Sequence, residues 1–101
     1  MEHPAPNPLP LHPGAVLRQK LDQCSHPRVT IAQFLGLSRQ TLHQILTERQ
    51  AVTPQIALRL GKLTNTPAEY WLELQQARDL ELHRRHDRAF LTTIPPLDER
   101  W

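Results

Sequence analysis

Residues 28–47 read RVTIAQFLGLSRQTLHQILT, and this stretch decides the fold of the chain. Its spacing predicts a helix-turn-helix, in which two short helices cross steeply and the second stays exposed. Ala32 supplies the small side chain that the crossing needs, and Gly36 can adopt the left-handed backbone that the turn needs. Ser38 is a good N-cap for the second helix, which we expect to run to about Thr47. The aliphatic residues expected to fix the crossing angle are Ile31, Leu35, Leu37, Leu42 and Ile45.

The outward side of that second helix carries side chains suited to reading base edges in DNA. Arginine can bond both acceptors of guanine, and glutamine can make two hydrogen bonds to adenine. No acid occurs from residue 38 to residue 47, whereas an ordinary solvated face mixes charges of both signs. The pattern predicts a major-groove helix, and the alternative is a plain helical hairpin with polar outer residues. The predicted contact residues are Ser38, Arg39, Gln40, His43, Gln44 and Thr47.

Two further arginines flank this helix-turn-helix. Arg28 lies near the start of its first helix, and Arg49 follows its second helix. Both are placed to contact phosphates, which sets affinity and register without reading sequence. For each of them, a solvated surface arginine is an equally good interpretation.

The rest of the chain predicts further helices and no sheet, because no segment alternates apolar and polar residues with β-branched enrichment. We therefore expect an all-α domain of five helices over residues 13–90, the fifth of them long. Alternating prolines predict an extended arm over residues 1–12, and Pro95-Pro96 falls in an irregular tail over residues 91–101. The expected helices cover about 14–24, 27–35, 38–47, a fourth opening at Thr53-Pro54, and a fifth to about residue 88.

Start signals support these helices. Pro13 and Pro54 suit a first helical turn, where the missing N–H costs nothing. Thr66 is expected to cap the fifth helix, with Pro67 in its first position and Glu69 completing a capping box.

The fifth helix is apolar on more than one side. Tyr70, Leu74 and Ala77 centre one sector, which we expect to face the core, and Trp71 is also interpreted as core. Leucines outside that sector predict an interface with a second subunit or a partner, although scattered exposed leucines are the alternative. These interface candidates are Leu72, Leu80 and Leu82.

Composition and charge limit the function further. The 101 residues suit one domain, and the net charge of +2 hides seven basic against two acidic residues over 14–65. A basic block suits a polyanion partner. The chain has one cysteine, residues 1–10 lack the features of a signal peptide, and no run approaches the ~20 apolar residues of a membrane span. We therefore expect a soluble cytoplasmic protein without internal disulfides.

No catalytic, metal or cofactor site is expected. The chain holds three glycines, no glycine-rich phosphate loop and no nucleophile with a positioned base, so an enzyme is not expected. His83 and His86 are spaced for one helical face, but they flank two arginines, and a solvated basic patch is the better interpretation.

Several motifs in order resemble the HigA family, antitoxins of the Cro/repressor-like (XRE) helix-turn-helix superfamily. They are HPG at 12–14, GLSRQT at 36–41, AVTP at 51–54, ALRL at 57–60 and EYWLELQ at 69–75, and the similarity covers about residues 11–82. It departs at Pro27, where the family commonly has a capping serine, and the tail after Leu91 matches nothing in it.

The resemblance implies a five-helix, lambda-repressor-like fold, usually dimeric, that binds operator DNA in its own promoter. It also implies a HigB-type partner toxin, a RelE-like ribonuclease that cleaves translated mRNA and is neutralised in the complex. Carried over by position, groove reading falls on Arg39, Gln40, His43 and Gln44. Two alternatives stay open: a solitary regulator without a toxin, and a protein-interaction module that inhibits an enzyme and uses its helix-turn-helix only as scaffold.

Overall fold

The computed structural model describes residues 8–97, and every regular element within that range is an α-helix. The all-α prediction is confirmed, and the five predicted helices are followed by a short sixth one. Residues 1–7 of the expected arm and 98–101 of the expected tail lie outside the described residues. The helices are α1 (Pro13–Asp22), α2 (Arg28–Leu35), α3 (Arg39–Leu46), α4 (Pro54–Thr64), α5 (Ala68–His86) and α6 (Arg88–Leu91).

Three helices begin where the start signals indicate. Pro13 and Pro54 open α1 and α4. The hydroxyl of Ser38 accepts a hydrogen bond from the backbone N–H of Thr41 at 3.0 Å and so caps α3. Thr53 caps α4 in the same way, through Ile56 N–H at 3.4 Å.

The expected cap of α5 is wrong. Pro67 is the N-cap and makes no side-chain capping bond, so α5 begins one residue later than expected, at Ala68. The Thr66 hydroxyl instead accepts a hydrogen bond from the indole N–H of Trp71 at 3.0 Å. Because Trp71 is fully buried, its N–H needs a protein acceptor, and Thr66 supplies it. Pro27 likewise precedes its helix as the N-cap of α2.

The core is one cluster to which α1 to α5 all contribute. Trp71, Leu17 and Ile45 have no exposed surface, and α5 packs mainly along α4. In the helix-turn-helix, Leu37 lies partly buried against this cluster while the other predicted aliphatic residues are buried within it. The buried apolar residues are Leu17, Leu21, Ile31, Ala32, Leu35, Leu42, Ile45, Leu46, Val52, Ile56, Ala57, Leu60 and Trp71.

Two glycines allow these helices to meet. Gly36 ends α2 with φ of +65°, a left-handed conformation that other residues rarely adopt. Gly14 lies where α1 crosses α3, and a Cβ placed there would overlap the backbone carbonyl of Ile45. The angle of α3 is therefore fixed both by the turn before it and by α1 beneath it.

The buried face of α5 differs from the expected one. Trp71 and Gln75 are buried, whereas Tyr70 is 37% exposed and Ala77 is exposed; Leu74 is half-buried. The sequence pattern missed this face because it treats glutamine as an outward residue. Gln75 is buried at no cost in unpaired groups, since its Oε1 accepts from Val52 N–H at 2.8 Å and its Nε2 donates to Asp79 at 3.0 Å.

The chain leaves the core after Glu81. From residue 82 to residue 97, a segment that we call the C-terminal extension, every residue is exposed except the half-buried Asp87. Asp87 also interrupts the predicted single long helix, so that α5 ends at His86 and α6 follows.

Candidate nucleic-acid interface

Helix α3 presents a polar face opposite a fully apolar one. Leu42, Ile45 and Leu46 are buried beneath the helix. Arg39, Gln40 and His43 are exposed on it, whereas Gln44 and Thr47 are only partly exposed. Among the five predicted contact residues from Arg39 to Thr47, three therefore project freely, and the two nearer the C-terminal end are held closer to the body of the protein.

Two predicted contact residues use their hydroxyl groups within the helix. Ser38 accepts from the backbone N–H of Thr41 and donates to its hydroxyl at 2.9 Å. Thr47 is the C-cap of α3, and its hydroxyl donates to the backbone carbonyl of His43 at 2.8 Å. Both groups fix the ends of the helix; the sequence pattern predicted the cap at Ser38 but not the hydroxyl bond of Thr47.

Arg28 lies beside the outward residues of α3. A shallow groove of about 510 Å³ is lined by its side chain together with α3, so both helices of the motif contribute to one surface. Arg28 is also paired with Asp22 at 2.9 Å, but that pair is exposed. An exposed ion pair contributes about 0–1 kcal/mol, so a phosphate could replace the carboxylate at little cost. The residues that line this groove are Arg28, Arg39, Gln40, Leu42, His43 and Leu46.

The loop after α3 carries Arg49 and is held at both ends by α5. Glu48, in a left-handed conformation with φ of +65°, pairs with Arg78 at 3.5 Å. Val52 N–H is bound by Gln75, as described above. Arg49 is exposed between these two attachments. Sequence reasoning identified Arg49 but missed both residues of α5 that hold its loop.

Arg59 of α4 is a further residue that the sequence pattern did not assign to the site. Its guanidinium donates to the backbone carbonyls of Leu35 and Gly36, each at 3.2 Å. The last carbonyls of a helix have no partner within it, so Arg59 satisfies these two and ties the turn of the motif to α4. Its basic side chain was the available signal, but nothing in the neighbouring sequence indicates its target.

The start of α1 depends on a buried histidine. His12 is 5% exposed, and its Nδ1 accepts from Gly14 N–H at 2.9 Å, which makes His12 the N-cap. Burial lowers the pKa of His12 below its usual value of 6.5; Arg78 acts in the same direction, and Glu48 and Asp79 oppose it. A neutral ring is required because a protonated Nδ1 would be a donor and could not accept this bond.

The two acidic residues of the basic block, residues 14–65, are both held in ion pairs. The acids of the basic block, Asp22 and Glu48, are the two that residues 14–65 contain, and each is paired with an arginine. With seven basic and two acidic residues, the block keeps a net positive charge. Between residues 8 and 97, no group of three or more histidine, cysteine, aspartate or glutamate side chains is arranged to hold a metal ion. None of the helices described combines the length and apolar character that crossing a membrane requires.

Comparison with known proteins gives concordant results. No protein-family model matches the chain. Virulence-associated protein I of Dichelobacter nodosus is 30% identical over 86 residues, which is 84% of this chain and 80% of that protein. The structure of antitoxin GraA matches with a TM-score of 0.82 at 31% identity, over 90% of this chain and all of that one. The Pseudomonas aeruginosa antitoxin HigA, solved with the higBA promoter, gives a TM-score of 0.80 at 28% identity over 88% and 99% of the two chains.

The fold and the exposed polar face of α3 define a helix-turn-helix protein of the DNA-binding class. Sequence identity of 30% over 80% of one relative and of 31% over all of another narrows that class to one family. The chain belongs to the HigA family of antitoxins, within the Cro/repressor-like helix-turn-helix superfamily.

Proposed function

We propose that this chain is the antitoxin of a type II toxin–antitoxin module. In this proposal it binds operator DNA in its own promoter through α3, and it neutralises a HigB-like, RelE-type toxin that cleaves mRNA in the cytoplasm. The observation that carries the DNA half is the acid-free face on which Arg39, Gln40 and His43 are exposed beside Arg28. Support comes from the similarity to an antitoxin HigA whose structure was solved with its promoter.

The proposed roles differ along the surface. Arg39 and Gln40, exposed in the first turn of α3, read base edges because their side chains can bond guanine or adenine with two hydrogen bonds. His43 and the half-buried Gln44 lie one turn further on and make further base contacts. Arg28 and Arg49 bind phosphates on either side and set the register, as does the helix start at Ser38.

A dimer suits this arrangement. Two copies that hold their α3 helices about 34 Å apart would match successive major grooves of a pseudo-palindromic operator. Leu80 and Leu82 are 46% and 42% exposed on α5 and are available to a second subunit or to the toxin. Leu72 is half-buried against the core, so it would lie at the edge of such an interface.

Binding to a labelled promoter fragment tests the DNA half. Arg39→Ala should cost about 1–3 kcal/mol at one base position and relax the preference there. Lys62→Ala, on α4, is a matched control that removes one exposed positive charge outside the groove. If Arg39→Ala leaves both affinity and base preference unchanged, α3 is not the reading helix.

Coexpression tests the toxin half. The chain should copurify with the product of a short adjacent reading frame and should restore growth to cells that express that product.

A second candidate, a solitary regulator, is favoured by relatives named as HTH-type transcriptional regulators, such as YddM of Escherichia coli at 28% identity. Operator binding without any toxic neighbouring product would support that candidate instead.

A further inference from the structure

The loop between α3 and α4 lies on the surface but is held by several specific contacts. Leu46 ends α3, and the backbone then turns back so that the N–H groups of Arg49 and Gln50 both donate to the carbonyl of Gln44, at 2.8 and 3.2 Å. Glu48 adopts a left-handed backbone to make this turn. For a residue other than glycine, such a conformation is unfavourable by about 1–2 kcal/mol and persists only where surrounding contacts hold it.

Those contacts come from one face of α5. Gln75 and Arg78 are three residues apart and therefore neighbours on a helix surface. Gln75 binds the backbone N–H of Val52, and Arg78 pairs with the carboxylate of Glu48. The Arg78 and Glu48 side chains are 22% and 35% exposed, so solvent screens this pair less than the exposed pair of Asp22 and Arg28.

Arg78 also reaches a third segment. Its guanidinium donates to the backbone carbonyl of Pro10 at 3.0 Å, two residues before the buried cap His12. One arginine of α5 thus joins the start of α1 and the loop that follows the recognition helix. Both of these segments contact α3 or continue from it. Contacts with α5 therefore help to fix the position of α3 and its loop.

We propose that Glu48 and Arg78 are positioning residues for DNA binding. This proposal rests on the proposed phosphate contact of Arg49. Their ion pair holds the loop so that Arg49, the next residue, points its charge at a phosphate from a fixed backbone. Glu48 therefore strengthens DNA binding although it carries a negative charge. This sign separates positioning from simple electrostatics, in which the loss of an acid beside DNA would strengthen binding.

The test is a salt titration of operator affinity with Glu48→Asn. Asparagine tolerates the left-handed backbone, is neutral, and is too short to reach Arg78 as glutamate does, so the turn is kept while the pair is lost. The slope of log affinity against log salt should become shallower by about 0.9, the value of one phosphate contact. Arg49→Ala should give the same change, and the double variant should show no further loss.

The other possible outcomes separate a failure of the positioning role from a failure of the proposed function. If Glu48→Asn binds more tightly with an unchanged slope while Arg49→Ala flattens it, the positioning role is overturned and the proposed function stands. If the two changes add to about 1.8, Glu48 acts independently of Arg49 and the proposal is also overturned. An unchanged slope in Arg49→Ala removes the phosphate contact itself; whether α3 reads DNA is then decided separately by Arg39→Ala.

Arg78→Ala provides a second measurement from the other side of the pair. It should reproduce the slope of Glu48→Asn, and urea unfolding should establish that each variant remains folded. Ile56→Val, a buried change in α4 that costs about 0.5–1.5 kcal/mol, is the control for lost stability and should leave the salt slope intact. A flattened slope in that control would show that general loosening explains the effect.

Discussion

The helix-turn-helix over residues 28–47 holds eight large apolar residues and buries five of them, whereas the C-terminal extension holds five and exposes all five. In the first, Ile31, Leu35, Leu42, Ile45 and Leu46 are all 6% exposed or less. In the second, Leu82, Phe90, Leu91, Ile94 and Leu97 are all at least 42% exposed. Apolar content therefore does not decide burial here. Ala32 and Gly36 let one pair of helices meet, and no equivalent pair brings another described helix onto the extension.

The extension keeps its helical form by local means. Glu81, just before it, accepts from Arg85 at 2.9 Å and pairs with Arg84 at 3.7 Å, one turn along the same helix. The hydrogen bond from Arg85 lowers the pKa of the Glu81 carboxyl, so the pair is charged at neutral pH. Local pairs of this kind hold a helix without burying its side chains. The large apolar side chains of the extension therefore stay exposed on the single chain.

The largest expected difference between the two regions is in stability. Leu42→Ala, in α3 where the side chain is 1% exposed, should lower the free energy of unfolding by about 2–5 kcal/mol. Leu82→Ala is the matched change in the extension and should alter it by about 0.5 kcal/mol or less in the monomer. Urea denaturation of both variants at low protein concentration measures the contrast. Similar losses would mean that the extension is packed in solution.

A smaller loss in the free energy of unfolding is expected at the turn of the helix-turn-helix. Gly36→Ala places a Cβ on a residue with φ of +65°, which costs about 1–2 kcal/mol. The space is not the obstacle, since the nearest atom, Arg59 Nη1, would be 3.5 Å from that Cβ. Gly36→Asn should recover part of the loss because asparagine tolerates this conformation. Equal losses for both would point to a steric cause instead of a conformational one.

The motif was predictable because its determinants are local. The small residue, the glycine turn and the serine cap lie within seven residues of one another, and each acts on the neighbouring backbone. The roles of Gln75, Arg59 and Arg78 were not predictable, because their partners lie 23, 24 and 68 residues away. Polar burial depends on which distant backbone group needs a partner. Hydropathy patterns carry no such information, which is also why the face of α5 was misplaced.

A still smaller effect, confined to acid conditions, is expected at His12. Its pKa is lowered in the folded protein, so the unfolded chain binds more protons as pH falls below about 6.5. The resulting stability is fully present above that pH and is lost progressively as pH falls toward the lowered folded value. His12→Asn keeps a capping side chain and removes the titration, so its unfolding free energy should fall less between pH 7 and pH 5.

His86→Asn is the control for this measurement, because the His86 side chain is 85% exposed in the C-terminal extension. It should leave the pH dependence of unfolding as in the parent protein. If His12→Asn retains the full acid sensitivity, the buried cap is not its source.

The smallest effect on the single chain, and the one that best tests the comparison, is expected at Leu80 and Leu82. Replacing both with glutamate changes exposed positions, so the monomer should lose about 0.5 kcal/mol or less for each. Self-association or binding of the proposed toxin should nevertheless weaken, because charges are introduced where an apolar contact is proposed. Leu58→Glu, at a 64% exposed site on α4, is the matched control and should leave assembly unchanged. Light scattering with and without the proposed toxin distinguishes the cases. An unchanged mass and an intact complex in the double variant would mean that these two leucines are exposed without a partner.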